Sequence, residues 1–232
     1  MNQNSFAGIY EWMPSDSYHN FGDFLMWIIG ENIFTADEWE RLKSDKDHSY
    51  ILIGSALCDY VLNKIIDAGY TPVMIGCGYR GEKISPHLLN KSIIIGCRGD
   101  KTRNSLLTSG VKTDKIGDTA LILPLLIYGS TLNSRQSLLI PHICDGNRHL
   151  YNEKDIGCDK IIQPEITSKE EAITMIKAIS SAEFVLAGAL HAAIIAFAYK
   201  TPFAFFKALM LRISRSVQLY SKDEPEPPRP LH

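Results

Sequence analysis

This sequence lacks every short motif that would identify a reaction without further argument. It contains no Walker A loop, no GxGxxG fingerprint, no GxSxG nucleophile elbow and no HExxH metal motif. The five cysteines include no CxxC pair, and several lie in or beside apolar runs. We therefore expect neither a disulfide framework nor a zinc site, and the cysteine usage fits a reducing cytoplasm.

Charge excess and a membrane segment are also missing. The formal net charge is −2, so nothing in the composition favours binding to nucleic acid or to an anionic membrane surface. The N-terminal residues do not form a basic stretch followed by an apolar core. Glycine, histidine, lysine and proline interrupt the most apolar run, residues 184–206. We predict that it forms strand, turn, helix and strand in the core of a cytoplasmic protein, with no transmembrane segment.

Short apolar runs alternate with amphipathic segments, which predicts an α/β fold with a mainly parallel sheet. Helix 168–181 is marked by a capping box of Ser168 and Glu171. The other predicted helices are 22–32, 58–68, 101–108, 118–126 (interrupted by Pro124) and 191–199. The predicted strands are 6–12, 50–55, 72–76, 92–97, 137–142, 160–163, 183–187 and 202–206.

A polar stretch at residues 128–135 divides this series into two Rossmann-like halves, 1–127 and 136–208. Residues 209–232 end in SKDEPEPPRPLH, whose prolines and acids exclude helix and central strand, so we expect a partly disordered tail. The second half is short for a complete Rossmann-like unit. Two interpretations stay open: C-terminal elements are missing, or the unit is a minimal version.

Small or polar residues follow successive predicted strands, where open α/β sheets bind their ligands. Any one glycine is better explained by a tight turn, but glycine also allows a ligand to approach the backbone, and its recurrence after successive strands favours a shared ligand crevice. The candidate binding residues at these strand ends are Gly54, Ser55, Gly78, Arg98, His142 and Gly188, with His191 just beyond.

Three side-chain groups carry the candidate chemistry. Asn20, Gly22 and Asp23 precede a helix, where they either bind an anion or a hydroxyl-rich ligand or simply cap the helix. Arg98 ends a buried strand and pairs either with a ligand carboxylate or phosphate or with Asp100 or Asp118. His191 opens a helix, where it either exchanges protons near neutral pH or only packs.

The order of these segments resembles the polysaccharide pyruvyl transferase family, and most closely its exopolysaccharide ketal-forming subgroup. The similar segments span residues 20 to 203. In chain order they are 20-NFGD-23, 51-ILIGSAL-57, 74-MIGCGY-79, 98-RG-99, 116-IGDTALILP-124, 140-IPH-142 and 190-LHAAIIAFAYKTPF-203.

The resemblance implies transfer of a pyruvyl group from phosphoenolpyruvate to a sugar of an exopolysaccharide or cell-surface glycan, forming a ketal. It implies a fold similar to the GT-B glycosyltransferases, with the substrate cleft between the halves. Arg98 would bind the donor, His191 would be the general acid, and Asn20, Gly22 and Asp23 would line the cleft. No metal or other cofactor is implied. A lipid-linked acceptor would bring the enzyme to the inner membrane face.

The sequence departs from the family pattern at two places. Ala189 stands where many members have an arginine that helps to bind the donor, and Thr119 stands where the usual segment has proline. Two alternatives therefore stay open. One is a glycosyltransferase that uses a nucleotide-sugar donor; basic residues near the second-half strands would favour it, and Lys200 and Lys207 flank the last predicted strand. The other is an inactive glycan-binding relative, shortened at its C-terminus.

Overall fold

Two four-stranded parallel sheets and one two-stranded antiparallel sheet carry the short apolar runs. The computed structural model describes residues 6–81, 84–129 and 134–207. The first parallel sheet has the strand order β1-β3-β4-β5, the second has the order β10-β9-β6-β7, and β2 pairs with β8. The strands are β1 Gly8–Ile9, β2 His19–Asn20, β3 His48–Ile51, β4 Thr71–Met74, β5 Ile93–Ile94, β6 Ser137–Ile140, β7 Lys160–Ile161, β8 Glu165–Ile166, β9 Phe184–Ala187 and β10 Phe203–Phe205.

The helices mostly follow the strands, as expected for parallel sheets joined by crossovers. Short 3₁₀ helices at Thr119–Ile122 and Arg148–Leu150 supplement them. The α-helices are α1 Phe21–Ile33, α2 Ala36–Lys43, α3 Asp59–Asp67, α4 Pro86–Leu89, α5 Asp100–Thr108, α6 Leu123–Leu126, α7 Glu153–Ile156, α8 Lys169–Ser181 and α9 Leu190–Ala198. Within the described ranges, none of these helices has the length and apolarity to cross a membrane.

The α/β class predicted from the sequence is confirmed, but the strands are shorter than predicted. The strand predicted to reach residue 55 ends at Ile51, and the strand predicted to reach residue 76 ends at Met74. Gly54 and Gly76 have positive φ values of 103° and 68°, a conformation that breaks a ladder. The apolar residues beyond each ladder continue into buried loops instead.

Two helix predictions need correction. Pro124 does not interrupt a helix: it lies in the first turn of α6, where its missing N–H costs nothing. Only half of the Ser168 capping box forms, since the Ser168 hydroxyl accepts a hydrogen bond from the Glu171 amide while the Glu171 carboxylate binds Thr167. A complete capping box occurs where none was predicted, between Thr35 and Glu38 at the start of α2.

The two parallel sheets do not have wholly separate cores. One cluster of buried residues packs α3 against the first sheet, whereas a larger cluster joins α1 to α8 and α9 of the second series. The antiparallel pair of β2 and β8 adds a backbone link beside α1. The boundaries at 127 and 136 and the GT-B-like arrangement stay predictions, and the 209–232 tail lies outside the described residues.

Candidate active site

A buried ion pair occupies the carboxyl end of the first sheet. The Arg98 side chain is 10% exposed, and its Nε donates to Asp118 Oδ2 at 2.8 Å. Its Nη1 donates to Ser55 Oγ at 2.9 Å, whereas its buried Nη2 has no hydrogen-bond partner among the described residues. Arg98 therefore forms the predicted salt bridge, to Asp118 rather than Asp100, and still has one donor group left for a ligand.

The backbone fixes the carboxylate of this pair. Asp118 Oδ1 accepts a hydrogen bond of 2.9 Å from the Ala120 amide, at the start of the 3₁₀ helix Thr119–Ile122. The carboxylate is almost fully buried, so its position is set by both the helix cap and the guanidinium. Asp118 can hold Arg98 in one orientation while it faces a third group, His191.

His191 lies in the first turn of α9, directly after β9. Its ring is buried, and Nε2 lies 3.8 Å from Asp118 Oδ2 without a hydrogen-bond partner in the described part of the chain. Burial lowers the pKa of His191 to about 4; Asp118 raises that pKa, while Arg98 and His142 lower it further. The ring is consequently neutral at pH 7, with an open nitrogen beside the ion pair.

The start of α1 brings a second carboxylate to the site. Asn20 occupies the N-cap position, but its side chain makes no capping bond; its Nδ2 donates to Asp23 Oδ2 at 2.6 Å instead. Burial raises the pKa of Asp23 to about 6; the Asn20 hydrogen bond lowers it, Glu11 raises it, and Arg80 lowers it. The helix-capping interpretation of Asn20 is therefore wrong, and the pair is available to a ligand.

The predicted glycines make room for the predicted side chains. At four of them, an added Cβ would collide with, or press tightly against, another residue of the candidate site, and three of these contacts are shorter than real Cβ atoms show. The distances are 2.1 Å from Gly22 to His191 Nδ1, 2.8 Å from Gly54 to Asp23 Oδ1, 2.4 Å from Gly78 to Arg98 Nη1 and 3.0 Å from Gly188 to His142 N. Close packing of site side chains explains Gly22 and Gly78, whereas Gly188 packs against the backbone and Gly54 also has a positive φ.

His142 follows β6 and completes the second-sheet side of the site. Its Nδ1 accepts a hydrogen bond of 3.1 Å from the Cys144 amide, so the neutral ring carries its proton on Nε2. Burial lowers the pKa of His142, Asp145 raises it, and Arg148 lowers it. Both histidines of the site are thus favoured in their neutral forms.

Two cavities are lined by residues of the candidate site. The larger has a volume of about 480 Å³, within the usual range for ligand pockets, and Arg98 and Asp118 line it beside the first turn of α5. Its opposite wall is apolar and includes Ile194, Phe197 and Phe203. The smaller cavity, of about 20 Å³, is lined by Asp23, Gly54, Ser55, Arg80 and the aromatic residues Tyr10 and Trp12.

Residues 20–207 match the model of a protein family described as polysaccharide pyruvyl transferase. The chain belongs to the polysaccharide pyruvyl transferase family. It is therefore a transferase, and the family points to a glycan acceptor. Neither the curated proteins nor the solved structures contain a significant match to it.

All ten residues predicted for the site of this pyruvyl transferase lie in one connected region. Sequence reasoning missed Asp118 as a site residue, although the segment 116-IGDTALILP-124 contains it. It also missed Arg80, which directly follows 74-MIGCGY-79. The available signal was a charged residue in or directly after each of these segments. The sequence alone does not show which residues either of them contacts.

Proposed function

We propose that this protein transfers the pyruvyl group of phosphoenolpyruvate to two hydroxyls of one sugar in a surface glycan, forming a cyclic ketal. One observation carries the proposal. Two buried nitrogens, Arg98 Nη2 and His191 Nε2, have no hydrogen-bond partner in the part of the chain that the structure describes, and both side chains face the Asp118 carboxylate. Buried polar atoms without partners are rare, so a pair at one carboxylate favours a ligand with matching acceptors.

Arg98 supplies the donor-binding group. A guanidinium binds carboxylate or phosphate through fixed N–H groups, and here Asp118 and Ser55 already hold two of its nitrogens in place. The remaining Nη2 is left to receive an oxygen of the donor. Because its neighbours are fixed, little side-chain freedom is lost when the donor binds.

His191 is the proposed donor of the proton that the enol carbon receives. Its ring is neutral in the empty site, so it cannot protonate the donor before its pKa rises. An anionic donor bound at Arg98 lies close to the ring and favours the imidazolium, because an opposite charge stabilises the charged form. We infer that donor binding is accompanied by proton uptake at Nε2, and that this proton passes to the enol carbon of the donor.

The reaction balances with these groups. The methylene carbon of the donor takes one proton from His191 and becomes a methyl group, which leaves an oxocarbenium-like carbon. The first sugar hydroxyl attacks that carbon and gives up its proton, the bond to phosphate oxygen breaks, and the second hydroxyl attacks in turn. Of the two hydroxyl protons, one restores His191 and the other leaves with the phosphate.

Asp23 is the proposed acceptor of the first hydroxyl proton, which it passes to the departing phosphate, while the proton of the second hydroxyl restores His191. Its raised pKa of about 6 leaves it ionised at pH 7 while making it a better base than an ordinary aspartate. We place the reaction in the cytoplasm, and at the inner membrane face where the acceptor is linked to a lipid.

A product assay tests this proposal. The protein is incubated with phosphoenolpyruvate and a panel of glycosides that present 4,6-diols or vicinal diols; released phosphate and the ketal are measured by mass spectrometry. We expect equal amounts of both with at least one glycoside, and a loss of at least about a hundredfold in His191→Gln. Transfer from a nucleotide sugar instead, with phosphoenolpyruvate inert, would contradict the proposal.

A further inference from the structure

Arg80 places a second guanidinium at the first-sheet side of the site. It follows the loop after β4, and its Nε donates to the carbonyl oxygen of Ser55. Its two terminal nitrogens make no hydrogen bond or ion pair with any residue in the described ranges. The side chain lines the smaller cavity together with Asp23 and Trp12. Arg80 is therefore anchored at one nitrogen and open at the other two.

Ser55 connects the two guanidiniums. Its carbonyl oxygen accepts from Arg80, and its hydroxyl oxygen accepts from Arg98 Nη1 at 2.9 Å. The open nitrogens of both arginines thus belong to side chains held by one residue. Two like charges held this close repel each other, and the arrangement is favoured when an anion lies between or beside them.

Among the described residues, a carboxylate makes direct contact with only one of the two guanidiniums. Asp118 pairs with Arg98, whereas Arg80 has no carboxylate within the 4 Å of an ion pair in the described residues. Asp23, which lines the same cavity, points its carboxylate at Asn20 and at the backbone of Gly54. Within the described residues, the Arg80 guanidinium thus has no carboxylate in direct contact.

We propose that Arg80 is a second donor-binding residue, which holds one anionic group of the donor while Arg98 holds the other. This inference rests on the proposed function, because it takes the ligand to be a small molecule with a phosphate and a carboxylate. A trianion of this kind needs more than one cation, and the charge of Arg98 is already balanced by Asp118. Arg80, which is held by the backbone carbonyl of the same Ser55, supplies a further positive charge.

Calorimetric titration tests the assignment. Phosphoenolpyruvate, inorganic phosphate and pyruvate are titrated separately into the wild-type protein, Arg80→Gln and Arg80→Lys. Arg41→Gln is the matched control, since Arg41 is an exposed arginine of α2. We expect the Kd for phosphoenolpyruvate to rise about tenfold to a hundredfold in Arg80→Gln, the size expected for hydrogen bonds to a charged group. Arg80→Lys should recover part of the loss, and the control should bind as the wild type does.

The separate ligands distinguish failure of this inference from failure of the proposed function. Equal binding of phosphoenolpyruvate by the wild type and a folded Arg80→Gln overturns the role of Arg80 and leaves the proposed function intact. If the wild type ignores phosphoenolpyruvate but binds phosphate through Arg80, the anion site stands and the donor is wrong. If it binds none of the three ligands, both proposals fail. A loss that appears only with phosphate or only with pyruvate identifies the group that Arg80 holds.

Discussion

The carboxyl ends of the two parallel sheets contribute different chemistry to one site. The first sheet supplies fixed charges, the Arg98–Asp118 ion pair, together with Asp23 from the helix that precedes its central strands. The second sheet supplies two histidines, His142 and His191, both favoured as neutral rings by burial. The difference indicates that the first sheet binds and orients an anion, while the second supplies a group that can change its protonation state.

The contact between the two ends is close, because Gly22 of α1 touches the His191 ring. A substitution at Gly22 tests whether this contact matters to the reaction. In Gly22→Ala the new Cβ would lie 2.1 Å from His191 Nδ1, so the ring must leave its position beside Asp118 Oδ2. We expect the transfer rate to fall by at least about a hundredfold, since a displacement of about 1 Å can have that effect. Steady-state kinetics with the glycoside found above provide the measurement.

Gly146→Ala is the matched control, because an added Cβ there meets nothing within 4 Å. It should keep wild-type kinetics and a wild-type unfolding midpoint. Wild-type activity in a folded Gly22→Ala would show that the position of His191 does not matter to the reaction.

The ion pair of the first sheet provides the next test. Asp118→Asn leaves the buried Arg98 charge without its partner, so we expect a loss of about 3–5 kcal/mol in the free energy of unfolding. Adding Arg98→Gln removes the stranded charge, and the double variant should be more stable than Asp118→Asn alone. Urea unfolding of the wild type, both single variants and the double variant measures this coupling. Additive effects would contradict a direct pair.

Asp23 provides the smallest effect, and it has the opposite sign. Its pKa is raised to about 6 in the folded protein, so its ionisation destabilises the fold above that pH. Asp23→Asn should therefore be more stable than the wild type at pH 7, by about 1–3 kcal/mol. The advantage should shrink as the pH falls below 6 and disappear near the ordinary pKa of aspartate. Urea unfolding at several pH values measures it, and an advantage independent of pH would contradict the assignment.

The sequence was sufficient for the class of fold and for the residues at the strand ends, since buried strands and the polar residues after them are local patterns. It predicted a partner for Arg98 but left two carboxylates open, because only the folded chain brings Asp118 rather than Asp100 to Nε. The role of Gly22 was hidden for the same reason. A contact between residues 22 and 191 depends on how α1 packs against α9.

Short elements were harder to predict from the sequence than the long buried strands. The pair of β2 and β8 is two residues long on each side and joins segments that are far apart in the chain. Strands this short show no hydrophobic periodicity from which the pairing could be predicted. The Thr35–Glu38 capping box is a local signal that could have predicted α2. Arg80 could not be assigned from sequence, because its hydrogen bond reaches a backbone carbonyl 25 residues earlier.

In the proposed reaction, an anion held by the first sheet changes the protonation state of His191, which the second sheet supplies. Nitrogen-15 spectra of histidine-labelled protein, with His191 assigned by His191→Gln, test it directly across pH 4 to 8 with and without phosphoenolpyruvate. We expect a neutral His191 at pH 7 in the free protein, with its pKa at about 4 and raised when the donor is bound. Arg98→Gln should remove that rise. An unchanged His191 signal in wild-type protein saturated with phosphoenolpyruvate would contradict the shared site.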